Sequence, residues 1–132
     1  MRLINKDTDY AVRALCAIAA KNQTANISDL VLDLKISRSF LRKILQILAA
    51  KKILKSVKGK NGGFSLQVPA SEIYLLNLIQ IFQGPIQLNH CRIKSNACPE
   101  MGHCKMRQAV QMIEKTAEDQ LSHITISYLM KS

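Results

Sequence analysis

Tryptophan is absent from this sequence, and tyrosine and phenylalanine occur only three times each. Because 48% of the 132 residues are hydrophobic, aliphatic side chains must build the core of one folded domain with an appended element. No apolar run approaches the roughly 18 residues that span a bilayer, so we expect no membrane partner. Charges interrupt the N-terminal stretch and it has no small-residue cleavage site, so we interpret it as a helix and expect a cytoplasmic location.

Acidic residues are absent from residues 34–71, where nine basic residues lie. The segments on either side are nearly balanced in charge, so nine of the ten net positive charges arise here. A charged run is usually a solvated surface, but a run without counter-charges predicts a polyanionic partner, nucleic acid before membrane. The nine residues are Lys35, Arg38, Arg42, Lys43, Lys51, Lys52, Lys55, Lys58 and Lys60.

Two helices joined by a short turn are predicted within and just before this basic segment. Ser28 is the expected cap of the first, over residues 28–34, and Ser37 begins the second, over residues 37–50. The second helix pairs an apolar stripe with a basic polar face, which is typical of a helix-turn-helix. An ordinary helical hairpin with solvated lysines is the alternative. A longer helix over residues 7–21, capped by Asp7 or Thr8, precedes the pair, and its apolar residues Ala11, Ala14, Leu15 and Ile18 lie on one face.

A β-hairpin is predicted directly after the second helix. The strand-like residues Val57 and Phe64 flank a glycine-rich stretch, "GKNGG", in which Asn61-Gly62 favours a hairpin because both residues tolerate positive φ. The hairpin would be a wing with lysines at its tip. A phosphate-binding loop is the competing interpretation, but the Gly-Lys-Ser/Thr ending and the following helix are missing.

The C-terminal part predicts a short helix over residues 71–83, capped by Ser71, and a long helix over residues 105–130. Apolar residues of the long helix follow a heptad spacing, which predicts a homodimer on a palindromic operator, with packing on its own domain as the alternative. They are Met106, Val110, Ile113, Ala117, Leu121, Ile124 and Tyr128. The expected fold is mainly α: a winged helix-turn-helix (residues 1–84) with a two-stranded β wing, a cysteine loop (85–104) and a long dimerisation helix (105–132).

Three of the four cysteines, Cys91, Cys98 and Cys104, occur in one loop with C-x6-C-x5-C spacing. Structural zinc prefers closer pairs and four protein ligands, whereas thiolates hold iron–sulfur clusters over wider spans. The spacing favours a cluster, and zinc or free thiols are the alternatives. Three thiolates leave a fourth position, for which the candidates are His90, His103, Glu100 and a carboxylate from elsewhere in the chain. The fourth cysteine, Cys16, is expected to be a small core residue. The absence of C-x-x-C and of a nucleotide-binding loop argues against a redox enzyme.

Taken together, these motifs resemble the IscR/NsrR-type winged-helix iron–sulfur regulators of bacteria, the Rrf2 family. The resemblance rests on "MRLINKDTDYAVRAL", "ISRSFLRKILQIL", "SVKGKNGGFSL" and the cysteine triplet. It implies a homodimer whose C-terminal helices cross near a two-iron or four-iron cluster. It also implies that the cluster controls promoter binding, more often in repression than in activation. Nitric oxide, oxygen, redox state and iron supply are the possible signals.

The resemblance also assigns roles to individual residues. Lys58 matches a wing arginine of the family that enters the minor groove, and Arg42 stands where the biogenesis regulator has a glutamate. Arg107 stands where that regulator has a histidine ligand, so that ligand is absent here. The stretch "TDYAVRAL" supplies Asp9, which matches an aspartate ligand that the partner subunit contributes in the nitric-oxide sensors. The predicted cluster ligands are Cys91, Cys98, Cys104 and Asp9. The predicted DNA-binding residues are Ser37, Arg38, Ser39, Phe40, Arg42, Lys43, Lys58, Lys60 and Asn61.

Overall fold

The computed structural model describes residues 2–88 and 104–130. These residues form mainly α-helical structure with one antiparallel hairpin, as the sequence predicts. The elements are α1 (Lys6–Lys21), α2 (Ile27–Leu34), α3 (Arg38–Ala50), β1 (Leu54–Val57), β2 (Gly63–Leu66), a 3-10 turn (Ala70–Glu72), α4 (Leu75–Gln83), α5 (Lys105–Leu121) and α6 (Ile126–Met130).

The main core forms where α1 packs against α3 and the hairpin. The apolar stripes predicted for α1 and α3 are confirmed, because their members are at most 1% exposed. Burying this many aliphatic side chains at about 25 cal/mol per Å² is what stabilises a domain that has no tryptophan. The stripes are Ala11, Ala14, Leu15 and Ile18 on α1, and Leu41, Ile44, Leu45 and Leu48 on α3.

The helix-turn-helix is present, but one of its two helix starts differs from the prediction. Ser37 caps α3 as expected, with its hydroxyl oxygen accepting from the Phe40 N–H at 3.4 Å. Asn26, rather than Ser28, caps α2 and accepts from the Asp29 N–H at 2.8 Å. The reason is the neighbouring residue Ala25, whose backbone pairs with β2 and holds the chain extended up to Asn26.

The start of α1 is also earlier than predicted. Asn5 caps this helix by accepting from the Thr8 N–H at 2.8 Å, so neither Asp7 nor Thr8 is the cap. Thr8 is fully buried and its hydroxyl donates to Gln83 instead. Thr8, which the local sequence suggests as a cap, therefore makes a tertiary contact with α4 instead.

The wing is a regular hairpin with a five-residue tip. β1 and β2 pair from Leu54 opposite Leu66 to Val57 opposite Gly63, which leaves residues 58–62 as the tip. The prediction that Asn61-Gly62 carries the positive φ values is wrong, since these occur at Gly59 (+112°) and Gly63 (+154°). A wider loop with glycines at its outer positions replaces the two-residue turn.

The C-terminal helix is not continuous, contrary to the prediction. α5 ends at Leu121 and α6 begins at Ile126, because the chain between them pairs with the segment before α4. There the Leu75 N–H donates to the Ile124 carbonyl and the Ile126 N–H donates to the Ile73 carbonyl. The same pairing explains why α4 begins at Leu75 rather than at Ser71.

A second, smaller apolar cluster joins α4, the residues after it and the end of α5. Leu75, Ile79, Ile86 and Leu121 are its buried members. Leu121 and Ile124 of the predicted heptad seam therefore pack on their own domain. Met106, Ile113 and Tyr128 of the same seam remain more than half exposed. Within the described residues, no helix is long and apolar enough to cross a membrane.

Candidate nucleic-acid interface and cysteine site

All nine basic residues of segment 34–71 are exposed. The salt bridges among the described residues are Arg13–Asp9 and Lys21–Asp33, and neither involves this segment. The cationic charge is therefore not neutralised by neighbouring carboxylates within the parts of the chain that the structure describes. Such a surface attracts a polyanion and binds it with a strong dependence on salt.

The exposed face of α3 lies beside the wing and forms a cleft with it. Arg38, Arg42 and Gln46 follow one another at four-residue spacing, so they share one face of the helix. With Ser56 and Gly59 of the wing they line a cleft of about 380 Å³. Guanidinium and amide groups on one helix face can read the edges of base pairs.

Arg38 does not extend freely from this face, because it is fastened to α2. Its Nη2 donates to the Ser28 hydroxyl oxygen at 2.7 Å. Ser37, Ser39 and Lys43 are exposed around it on α3. The structure thus brings the predicted polar residues of α3 together on one surface, with Arg38 oriented by a residue of the preceding helix.

Phe40 has a different environment from the other predicted DNA-binding residues. It is half-buried, and its ring meets the Tyr10 ring edge-to-face, with centroids 5.3 Å apart and planes at 86°. The Lys6 Nζ lies 5.6 Å from the Phe40 ring. Phe40 is therefore a packing contact between α1 and α3, and its approach to DNA stays a prediction.

The wing tip carries the remaining predicted residues, Lys58, Lys60 and Asn61, all exposed. Lys60 and Asn61 line a second cleft, of about 480 Å³, together with Gln23 and Thr24 of the turn between α1 and α2. A cationic hairpin tip beside a helix with a polar basic face matches the geometry by which winged helices contact adjacent grooves and phosphates.

Two of the four predicted cluster ligands, Cys91 and Cys98, lie outside the described residues. Cys104 is the half-buried residue just before α5, and Asp9 lies in the first turn of α1. The Asp9 carboxylate accepts from Arg13 Nε at 3.0 Å. Within residues 2–88 and 104–130, no three histidine, cysteine or acidic side chains are grouped closely enough to hold a metal.

Cys16 packs against the main core on α1, as the sequence predicts. Burial raises the pKa of its thiol above the ordinary value, because the thiolate would lose hydration. A protonated, half-buried thiol is a poor ligand and a poor nucleophile.

The contact of Ser28 with Arg38 has no signal in the sequence, because it spans the turn between two helices. Ser28 suggests only a helix cap. The position of Gln46 can be predicted, since it lies one helical turn beyond Arg42 on the polar face. Gln46 therefore belongs with the residues that face the wing.

A helix-turn-helix followed by a hairpin with a cationic tip defines a winged-helix DNA-binding protein. The sequence model of the Rrf2 family, described as "Iron-dependent Transcriptional regulator", matches residues 4–132. The chain belongs to the Rrf2 family. It is accordingly a DNA-binding transcription regulator and not an enzyme.

Individual relatives agree with this assignment. The chain is 32% identical to Protein aau3 of Rhizobium meliloti (strain 1021), over 100% of this chain and 86% of the relative. It is 30% identical to the HTH-type transcriptional regulator NsrR of Oceanobacillus iheyensis, over 98% of this chain and 90% of that protein. Both alignments span nearly the whole chain, including the cysteine loop.

Solved structures show the same fold at lower identity. CymR (YrzC), the global cysteine regulator of B. subtilis, superposes with a TM-score of 0.81 at 19% identity, over 98% of this chain and 97% of that one. T. potens IscR superposes with a TM-score of 0.77 at 17% identity, over 98% and 87% respectively. The winged-helix fold predicted from the sequence is confirmed by these similarities.

Proposed function

We propose that an iron–sulfur cluster held by Cys91, Cys98 and Cys104 controls the binding of this regulator to promoter DNA. Asp9 of the partner subunit is the proposed fourth ligand. The observation that carries the proposal is the family match, because it spans all four residues and the family is described as iron-dependent. The signal is nitric oxide, oxygen, redox state or iron supply.

The chemistry of the donor set fits such a group. Three thiolates match the preference of clustered iron for soft ligands, and one carboxylate is a weaker, exchangeable tie. Cys104 and Asp9 are both partly exposed, so each can be reached by a group outside its own helix. When bound, the cluster would supply a centre that reacts with the signal and alters the ligand residues around it.

The DNA-binding half of the proposal rests on the shared basic surface of α3 and the wing. We propose that Arg42 and its neighbours on α3 read base edges in the major groove, while Lys58 contacts the minor groove and its phosphates. Exposed apolar residues on α5, among them Met106 and Ile113, are the proposed homodimer contact. A two-fold dimer would select a palindromic operator.

A regulator that senses through its thiols without iron, or holds structural zinc, is the second candidate. The cysteine triplet is compatible with this candidate as well, because thiolates bind zinc or react with oxidants without a cluster. The two candidates share the DNA-binding surface and differ only in what the cysteine loop holds. Metal and sulfide content therefore separates them.

The test is the affinity for a duplex selected from a random library, measured for the metal-free protein and after anaerobic reconstitution with iron and sulfide. We expect reconstitution to change the Kd by about tenfold or more, which corresponds to a coupling energy within the usual 1–3 kcal/mol range. Cys98→Ala should abolish both the visible absorption and this change in affinity.

Cys16→Ala is the matched control, because it removes a thiol from the core side of α1 and not from the loop. It should keep the chromophore and the response. A wild-type Kd that is unchanged by reconstitution would rule out control by a cluster. A response that survives in Cys98→Ala would transfer the sensing role to another group.

A further inference from the structure

Gln83, the last residue of α4, makes three hydrogen bonds to the N-terminal segment of the chain. Its Oε1 accepts from the Asn5 N–H at 2.9 Å and from the Thr8 hydroxyl at 2.7 Å. Its Nε2 donates to the Leu3 carbonyl at 3.1 Å. One amide side chain thus binds the segment that leads into α1 and also the first turn of that helix.

The chemistry of a helix N-terminus explains why this residue is needed. In a capping box, a glutamate or glutamine at the third helical position accepts from the N–H of the cap residue. The cap here is Asn5, and the third position is Thr8, whose short side chain cannot complete the box. Gln83 completes it from another helix, and Thr8 is fully buried beneath the contact.

Gln83 also begins the linker that leads to the cysteine loop. Gly84 follows with φ of +82°, and Ile86 is buried in the smaller apolar cluster. At the other end of the linker, the Leu88 N–H donates to Glu114 Oε1 of α5 at 2.8 Å. The linker is therefore held at both ends, and Cys91 comes three residues after Leu88.

The turn that Gln83 holds carries two residues of functional interest. Asp9, the proposed ligand, directly follows Thr8. Tyr10 is next, and its ring contacts Phe40 of α3. A change in the linker can thus reach the DNA-reading helix through the first turn of α1, with each step made by a direct contact.

We infer that Gln83 is a positioning residue that fixes Asp9 and Tyr10 to the linker of the cysteine loop. Its role in sensing rests on the proposed function, whereas its role in holding the turn does not. Loss of the three hydrogen bonds frees the first turn of α1 from the linker. The response of DNA affinity to the loop is then weakened, while the basic surface itself is untouched.

The experiment compares three variants of the full-length protein. Gln83→Met keeps the length of the side chain and removes all three bonds. Gln83→Glu keeps an acceptor for the Asn5 N–H and the Thr8 hydroxyl but loses the donation to the Leu3 carbonyl. Gln80→Met is the matched control at an exposed position one turn earlier on α4. The readouts are amide hydrogen exchange at Asn5 in the metal-free protein, and the ratio of Kd values for the selected duplex before and after reconstitution.

We expect the Asn5 amide to exchange about five- to tenfold faster in Gln83→Met, and at the wild-type rate in the other two variants. In Gln83→Met, the ratio of Kd values should fall at least threefold toward one, while the metal-free Kd changes less than twofold. In Gln83→Glu, the ratio should return to that of the wild type. Unchanged exchange in Gln83→Met overturns the positioning role. A wild-type Kd ratio in that variant overturns the role of Gln83 in transmitting the response from the loop to the DNA-binding surface. A ratio of one in the wild type contradicts the proposed function, and the exchange result alone then decides the positioning role.

Discussion

At the scale of single residues, the basic surface of α3 and the wing contains two kinds of cationic group, which differ in whether they can read bases or only bind phosphates. Arg42 lies on the cleft face of α3, one turn beyond Arg38. Its planar guanidinium can donate two parallel hydrogen bonds to a guanine edge, which a lysine cannot do. Lys58 at the wing tip is a point charge at the end of a flexible stem.

Replacing Arg42 with alanine should weaken binding to the selected duplex by about 1–3 kcal/mol and relax the preference at one base pair of each half-site. The measurement is a competition series with duplexes substituted at single positions. Lys115→Ala on α5 removes an exposed cation outside the basic segment and should change neither quantity. Equal losses on all duplexes, with no relaxed position, would show that Arg42 binds only phosphate.

Replacing Lys58 with glutamine should have a different signature. We expect weaker binding to all duplexes alike and a decrease of about one in the slope of log K against log salt, because one phosphate contact is lost. Titrations at several salt concentrations give this slope. A slope equal to that of the wild type would place Lys58 outside the phosphate contact.

At the scale of the elements, the wing depends on a close approach of two backbones. Gly63 has φ of +154°, and a Cβ there would collide with the Ala25 carbonyl. That carbonyl accepts from the Phe64 N–H, and the Ala25 N–H donates to the Phe64 carbonyl, both at 2.8 Å. The wing is thus attached to the turn before α2 as well as to its own strands.

Gly63→Ala should therefore destabilise the protein by about 2–4 kcal/mol, since it adds backbone strain to a steric clash. Urea unfolding followed by circular dichroism measures the change. Gly59→Ala is the control, because its added Cβ meets open space and only the positive φ is penalised, by about 1 kcal/mol. Similar losses in both variants would show that the contact with Ala25 contributes little.

The helices and strands also show which features of the fold can be predicted from local sequence patterns. The apolar stripes of α1 and α3 follow from spacing alone, because a buried face imposes its period on the sequence. The two strands follow from strand-forming residues on either side of a glycine-rich stretch. The break between Leu121 and Ile126 does not, because the heptad pattern continues through it. It arises from backbone pairing with Ile73 and Leu75, which are distant in sequence.

Like the fold, the candidate site could be predicted from the sequence only in part. The basic surface and the cap at Ser37 follow from composition and capping chemistry. The presence of the wing follows from its glycine-rich stretch, but the positions of positive φ in its tip do not. The contacts of Ser28 with Arg38 and of Gln83 with Asn5 join separate elements, so no local sequence pattern predicts them. Phe40 shows the converse, since a position on the recognition helix is used partly for packing against Tyr10.

At the scale of the whole molecule, three apolar side chains in the first half of α5 are largely uncovered within the described residues. Met106, Met112 and Ile113 are 69%, 70% and 57% exposed. A helix that exposes such residues over two turns is suited to pack against a second copy of itself. The DNA-binding surface and this face lie on different elements, so one can be altered without the other.

Replacing Ile113 with glutamate should convert the proposed homodimer to a monomer at micromolar concentrations, because a charge would be buried at the contact. Sedimentation equilibrium measures the assembly state, and duplex titration should show a loss of affinity for a two-half-site operator. Gln111→Glu adds the same charge on the same helix at an exposed polar position. A dimer that persists in Ile113→Glu would place the contact elsewhere.

The proposed control of DNA binding depends on an iron–sulfur cluster in the cysteine loop. The most direct test is the visible absorption spectrum of the protein purified without air, followed by reconstitution with iron and sulfide. We predict a brown protein with broad sulfur-to-iron bands that disappear in Cys98→Ala. A protein that stays colourless after reconstitution would contradict the claim and leave a winged-helix regulator whose thiols bind zinc or act alone.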